Sequence, residues 1–358
     1  MKIPEKFNKP LSIRCDADYI DEIESHFTEY IAFVSELLDE LISLGIVNDI
    51  DRTPIQSRAT DCSTRVINIL REYTYKERFK ASDSFKLFIE SYKNIFASES
   101  FYGKLIAGAA FFRFRVDEIA KTQRNEFALF HIPFKLRRKV NNQRFNAHGN
   151  PCLYCSDKLK IAWTEVKKPN RTHPAPPEEK KFFNSAVFKT SSAVSYLDFS
   201  LRNIAHFYKS IIATGQKDDI KALLEYLMVY PFIISLHTKI EYNRNETVAF
   251  HNEYVMPTFL MDLFLSDYGR RLIIKFFDLK SIRYSSVEET EYFSGYNYVF
   301  PAKYSETLKN EYCQELTRIF LAKDKFMYLY EDEIPSGITK ISETEIASIE
   351  KEMLAKVL

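Results

Sequence analysis

Glycine is scarce in this chain, with eight residues in 358 positions. No G-x-G-x-x-G and no G-x-x-x-x-G-K-[ST] occurs anywhere. A Rossmann dinucleotide site and a P-loop both need glycine where backbone approaches phosphate, so both are excluded. Any nucleotide bound here must be held by side chains. An excess of one charge sign is missing too, with 50 Lys and Arg against 49 Asp and Glu. That balance argues against nucleic acid or an anionic membrane as the main partner. No uninterrupted apolar run approaches the ~20 residues of a spanning helix. The opening Met1-Lys2-Ile3-Pro4-Glu5-Lys6 has no apolar core of the kind a secretory signal carries. Five cysteines make no disulfide framework in so long a chain, and the odd number fits a reducing compartment. A cytoplasmic protein is expected.

What is present is a soluble-protein composition, 46% hydrophobic and 15% aromatic, with a changing texture along the chain. Residues 18 to 44 repeat apolar side chains at threes and fours (Ile20, Ile23, Phe27, Tyr30, Ile31, Val34, Leu38, Leu41), which predicts an amphipathic helix. Asp18 is placed to cap it and Gly45 to end it. Further helices are expected at about 63–77 and 83–96. After Gly108 the run Phe111-Phe112-Arg113-Phe114-Arg115-Val116 alternates as a strand does. A helix follows at Lys158–Lys167, then an exposed proline-rich loop, Pro169 to Lys180. Residues 196–240 and 251–266 read as helical, with Pro257 in a first turn or a kink. Strands are expected at 281–287 and 296–301. A closing helix opens on Ser342-x-x-Glu345, a capping box. The expected organisation is an N-terminal helical region over 1–108, a main domain over 109–305 with a helical insertion around 196–240, and a helical tail over 306–358.

The informative segment is Gln143-Arg144-Phe145-Asn146-Ala147-His148-Gly149-Asn150-Pro151-Cys152-Leu153-Tyr154-Cys155-Ser156-Asp157, running on to Ala162-Trp163-Thr164-Glu165-Val166. An arginine, a glycine- and proline-containing loop, a tyrosine ten residues on and a glutamate eleven after that resemble the RES family, named for its Arg, Glu and Ser. The approach segment from His131-Ile132-Pro133-Phe134 to Val140 is similar to the lead-in of long bacterial RES proteins. Tyr226-Leu227 to Tyr230-Pro231 and Phe250-His251-Asn252-Glu253-Tyr254-Val255-Met256-Pro257 resemble that subgroup's middle block. Ile282-Arg283-Tyr284-Ser285-Ser286 and Asn297-Tyr298-Val299-Phe300-Pro301 resemble its closing block. The resemblance covers about 110 to 302.

The resemblance implies an α+β protein with an ADP-ribosyltransferase-like core, two small sheets around a cleft that takes NAD+. It implies Arg144, Tyr154 and Glu165 as the principal site residues, with Ser286 as the family serine and Ser285 its competitor. Breaking the nicotinamide–ribose bond builds positive charge on the ribose, as in glycoside cleavage, and Glu165 can stabilise it. Arg144 offers a planar, permanently charged fork for the pyrophosphate. Tyr154 can stack on nicotinamide. Ser286 and Asn297 can donate hydrogen bonds to the dinucleotide, Arg113 or Arg115 can add a phosphate contact, and His148 sits in the arginine loop. The implied activity is NAD+ glycohydrolysis or phosphorolysis in a toxin or antiphage effector, beside an antitoxin or activating partner. Two alternatives stand: mono-ADP-ribosyl transfer to a macromolecule, and a non-catalytic module that senses nucleotide. The N-terminal helices fit a homo-oligomer, an inhibitory contact or a private core equally well.

Two other motifs point to duller chemistry. Cys152-x-x-Cys155 has no second ligand pair, so no metal is expected, and both cysteines read as small apolar residues of a buried strand. His251 and Glu253 stand two apart, which on an α-helix would aim them at different faces. Taken alone, Arg144 and Glu165 would be a surface ion pair worth about 0–1 kcal/mol.

Overall fold

The structure is a computed structural model that describes residues 2–117, 129–146, 149–166, 181–241, 250–269, 271–272, 279–287, 295–320, 329–334 and 343–357. In chain order its main elements are β1 (Ser12–Arg14), α1 (Tyr19–Ser43), α2 (Asp49–Tyr75), α3 (Arg78–Phe96), β2 (Tyr102–Leu105), β3 (Ala110–Asp117), β4 (Cys152–Ser156), α4 (Leu159–Val166), β5 (Lys181–Lys189), β6 (Val194–Asp198), α5 (Ile204–Thr214), α6 (Lys217–Leu236), β7 (Lys239–Glu241), α7 (Val255–Leu265), β8 (Leu279–Tyr284), β9 (Asn297–Pro301) and β10 (Leu329–Ile334). Helices at Gln314–Phe320 and Glu343–Val357 complete the described chain. It is an α+β protein.

The chain divides otherwise than at positions 108 and 305. One unit takes Met1–Tyr102, Phe199–Asn243 and Phe250–Phe276; the other takes Gly103–Asp198, Arg244–Ala249 and Phe277–Leu358. The helices of the expected insertion therefore belong with the N-terminal helices, and the tail belongs with the sheet. Burial is the cause, because an amphipathic helix joins whichever partner covers its apolar stripe, whatever the distance in sequence.

In the first unit, α1 forms as its spacing predicts. The Asp18 carboxylate accepts from Ile20 N and Asp21 N at 2.9 and 3.0 Å, satisfying two amides of the first turn. The stripe Ile20, Ile23, Phe27, Tyr30, Val34, Leu38 and Leu41 is at most 2% exposed. Each such side chain contributes about 1.5–3 kcal/mol of burial. Gly45, with φ +68°, stands just beyond the helix end. α2 starts fourteen residues before the expected 63. Its buried face there is thin (Ile55, Ala59, Cys62, Val66), so the helical spacing is carried by small or isolated apolar groups among polar ones. α3 and α6 meet through rings, with Phe88 and Phe96 at 5.2 and 5.5 Å from Phe232. Pro257 lies in the first turn of α7, where its missing N–H costs no helical bond. His251 and Glu253 differ from the α-helical expectation. Asn252–Tyr254 form a 3-10 turn, and His251 Nδ1 comes within 3.3 Å of the buried Glu253 Oε1.

The second unit is built on one eight-stranded sheet in the order β10-β5-β3-β4-β9-β8-β6-β2. It is mixed: β6 and β8 run parallel, while the β10–β5, β5–β3, β3–β4, β4–β9 and β9–β8 pairs are antiparallel. Residues 196–198, expected to be helical, form the end of β6. Where two small sheets are expected, the strands join, but by a thread. β3 and β4 share one pair, Phe112 with Ser156. On one side of the sheet Phe111, Leu153, Cys155, Tyr298 and Phe300 form a core with the Gln314–Phe320 helix. On the other, Phe112, Phe114 and Val187 pack against Leu159 and Trp163 of α4 and Met353 of the C-terminal helix.

Candidate active site

Glu165, Ser286 and Asn297 come together beside β4, next to its narrow junction with β3. β4 alternates as strands do: Leu153 and Cys155 enter the first core, so Tyr154 and Ser156 face the α4 side. Register then lines up a row across three strands, Ser156 beside Asn297 and Asn297 beside Tyr284. β8 runs out of the sheet directly into Ser285 and Ser286, and α4 delivers Glu165 to the same side.

Three side chains converge there. Glu165 Oε1 accepts from Ser286 Oγ at 2.6 Å and from Asn297 Nδ2 at 2.9 Å. Asn297 Oδ1 in turn accepts from Ser156 Oγ at 2.5 Å, which orients the amide so that its NH2 points at the carboxylate. Ser156, Asn297 and Ser286 are each 3% exposed and Ser285 is 9% exposed, whereas Glu165 is half-buried. Hydrogen bonds to an ionised carboxylate are roughly twice as strong as neutral ones, so the pair of donors fixes the Glu165 side chain.

Tyr154 holds the arginine loop. Its hydroxyl donates to Asn146 Oδ1 at 2.6 Å and accepts from Phe145 N at 3.2 Å. Gln143 and Asn146 close a tight turn through reciprocal backbone hydrogen bonds of 3.1 and 3.2 Å. Arg144, half-buried, stands inside that turn. Phe145 packs its ring 4.6 Å from Tyr284, in the row that contains Asn297. Gly149 leaves the loop at φ +83°, a left-handed conformation that strains any side chain with a Cβ.

Arg113 is not brought to Glu165. It alternates with Phe112 and Phe114, so it lies on the side of Phe111, where its charge acts on Cys155 and His131. There its Nη1 donates to the Tyr154 carbonyl at 2.7 Å, next to the lone β3–β4 pair. Arg115 is placed by backbone alone, opposite Asn184. His148 and the Pro169–Lys180 loop lie outside the described residues, as does Ser342 of the expected capping box. Cys152 and Cys155 point to opposite faces of β4, and burial pushes the Cys155 thiol up to about 12, so that thiol stays protonated. Among the described residues no group of His, Cys, Asp and Glu could hold a metal ion. No described helix is long and apolar enough to cross a membrane.

Three contributors escaped the sequence reading. Ser156 was detectable in principle, two positions from Tyr154 on a strand and therefore on the same face. Asp157 locks the entrance of β9: its Oδ1 accepts from Tyr296 N at 2.7 Å and its N–H donates to Tyr296 O at 3.0 Å. Burial holds this carboxyl above the usual carboxylate range. Glu350, from the C-terminal helix, accepts from Leu159 N at 2.9 Å and so caps the start of α4. Nothing local to α4 announces a cap that lies 191 residues away.

No family model matches the chain, and no solved structure matches it. It is 23% identical over 154 residues to a Bacillus subtilis protein named "Putative toxin YopC". The similarity covers 42% of this chain and 32% of that protein, so the chain spans about a third of the length of that relative.

Proposed function

We propose that this chain is an NAD+-consuming enzyme of RES, ADP-ribosyltransferase-like type, which cleaves the nicotinamide–ribose bond by hydrolysis or phosphorolysis and acts as a toxin or antiphage effector. The observation that carries this reading is the Glu165 carboxylate, oriented by Ser286 and Asn297 on one oxygen. A carboxylate already held in place stabilises positive charge as it develops on ribose without having to reorganise at the moment of reaction. Arg144, in the turn fastened by the Tyr154 hydroxyl, supplies the pyrophosphate grip that a glycine loop supplies elsewhere. The role of Tyr154 in this scheme extends from stacking on nicotinamide to positioning that turn. The similarity to a protein named as a toxin favours the toxin reading, and an antitoxin that covers the Glu165 face is its natural partner.

The test is incubation with NAD+ and mass spectrometry of the products. Free nicotinamide is expected, with ADP-ribose or, in phosphate buffer, its phosphorylated counterpart. Glu165→Gln keeps the side chain's shape but not its charge, and should cost about 10²–10³-fold in rate. Trp163 fluorescence checks that the variant is folded. Cleavage at an undiminished rate in folded Glu165→Gln would refute the assignment. Label transferred to a macromolecule, with little free ADP-ribose, would select the ADP-ribosyl-transfer alternative.

A further inference from the structure

A second site emerges at the other end of the two strands that carry Ser286 and Asn297. β8 runs from Leu279 toward Ser286, and β9 runs from Asn297 to Pro301, so Lys280 and Lys303 stand at the ends remote from Glu165. Between them and the Gln314–Phe320 helix lies a cavity of about 400 Å³, within the size range of small-molecule sites. Its charged lining residues are Lys280, Lys303, Arg318 and Glu315, three cations against one anion, for a net charge of +2.

Arg318 is exposed, whereas the two lysines are partly buried. The Lys280 and Lys303 side chains are only 20% and 26% exposed. Glu315 draws both inward: Lys280 Nζ bonds its Oε1, and Lys303 Nζ lies 3.6 Å from its Oε2. One carboxylate thus gathers two ammonium groups and cannot neutralise both, while Arg318 adds a third positive charge on the same wall. With three cations against one anion among its described lining residues, the cavity is complementary to a phosphate dianion. Tyr304 and Tyr312 give the remaining wall apolar ring surface that suits the organic part of an ester.

We infer that this cavity binds a small phosphomonoester, its phosphate held by Lys280, Lys303 and Arg318, at a site separate from the Glu165 cluster. The site does not depend on the reading of Glu165, and its test leaves that reading untouched. Calorimetric titration of the full chain with AMP, ribose 5-phosphate and adenosine distinguishes the possibilities. The phosphate esters should bind and adenosine should not. The tighter of the two esters tells whether a nucleotide or a sugar phosphate is the source. Lys303→Gln and Arg318→Gln should each weaken binding several-fold, and Lys280→Gln combined with Lys303→Gln at least tenfold. Glu165→Gln should leave it unchanged. Adenosine binding as tightly as AMP, an undiminished affinity in folded Lys303→Gln/Arg318→Gln, or no ester binding at millimolar concentration would each overturn the inference.

Discussion

His131 should make the sheet unit sensitive to acid in a window that can be worked out in advance. The ring is 1% exposed and makes two hydrogen bonds of opposite sense. Nδ1 lies 2.9 Å from the Ile132 carbonyl and must donate; Nε2 lies 2.9 Å from Cys313 N and must accept. Only the neutral tautomer with its proton on Nδ1 satisfies both. Burial pushes the pKa down to about 4; the Ile132 hydrogen bond raises it and the charge of Arg113 lowers it further. The unfolded chain has the ordinary value near 6.5 and takes up the proton first as pH falls. The stability contributed by the neutral ring is therefore complete above about pH 6.5 and is lost as pH falls toward 4. Linkage between these two values gives a loss of about 1.4 kcal/mol at pH 5.5 and about 2.5 kcal/mol at pH 4.5. Trp163, the one tryptophan, is buried in the same unit and reports its unfolding. Urea titrations at pH 7.0, 5.5 and 4.5 should show the wild-type chain losing those amounts beyond what His131→Gln loses. Gln does not titrate, and its amide offers both an acceptor for the Cys313 N–H and a donor for the Ile132 carbonyl, so the variant should stay folded at pH 7. His26, also pushed down to about 4 by burial, titrates in both proteins and cancels in the comparison. Equal pH slopes in wild type and variant would refute the reasoning.

Two further substitutions probe the same unit. Tyr154→Phe removes the hydroxyl that bridges Asn146 and Phe145; it should cost about 1–3 kcal/mol in stability and, by releasing the Arg144 turn, raise KM for NAD+ more than it lowers kcat. An unchanged KM would separate Tyr154 from the arginine loop. Gly103→Ala would set a Cβ 2.2 Å from the Tyr196 ring, which also covers the Arg283 guanidinium at 4.8 Å. Overpacking of this kind costs about 1–3 kcal/mol, so thermal unfolding should come several degrees earlier, and an unshifted transition would show that the ring has room to move.

The sequence by itself determined what depends on neighbours along the chain. The stripe of α1, the Asp18 cap, the placement of Pro257 and the alternation of β3 all arise from periodicity and local hydrogen bonding, which are written in consecutive residues. The spacing of Arg144, Tyr154 and Glu165 singled out a stretch that is local too, a turn, a strand and a short helix in succession. Tertiary structure alone decided the rest. The register of β4 on β9 and of β9 on β8 puts Asn297 and Ser286 within reach of Glu165 and Ser156 within reach of Asn297, although Asn297 comes from 132 residues downstream. The side of β3 that Arg113 faces, the Glu350 cap on α4 and the merging of residues 199–243 with the N-terminal helices depend on which distant surfaces bury one another. Pairing between remote segments is selected by the fit of whole faces, and no single window of sequence contains that information.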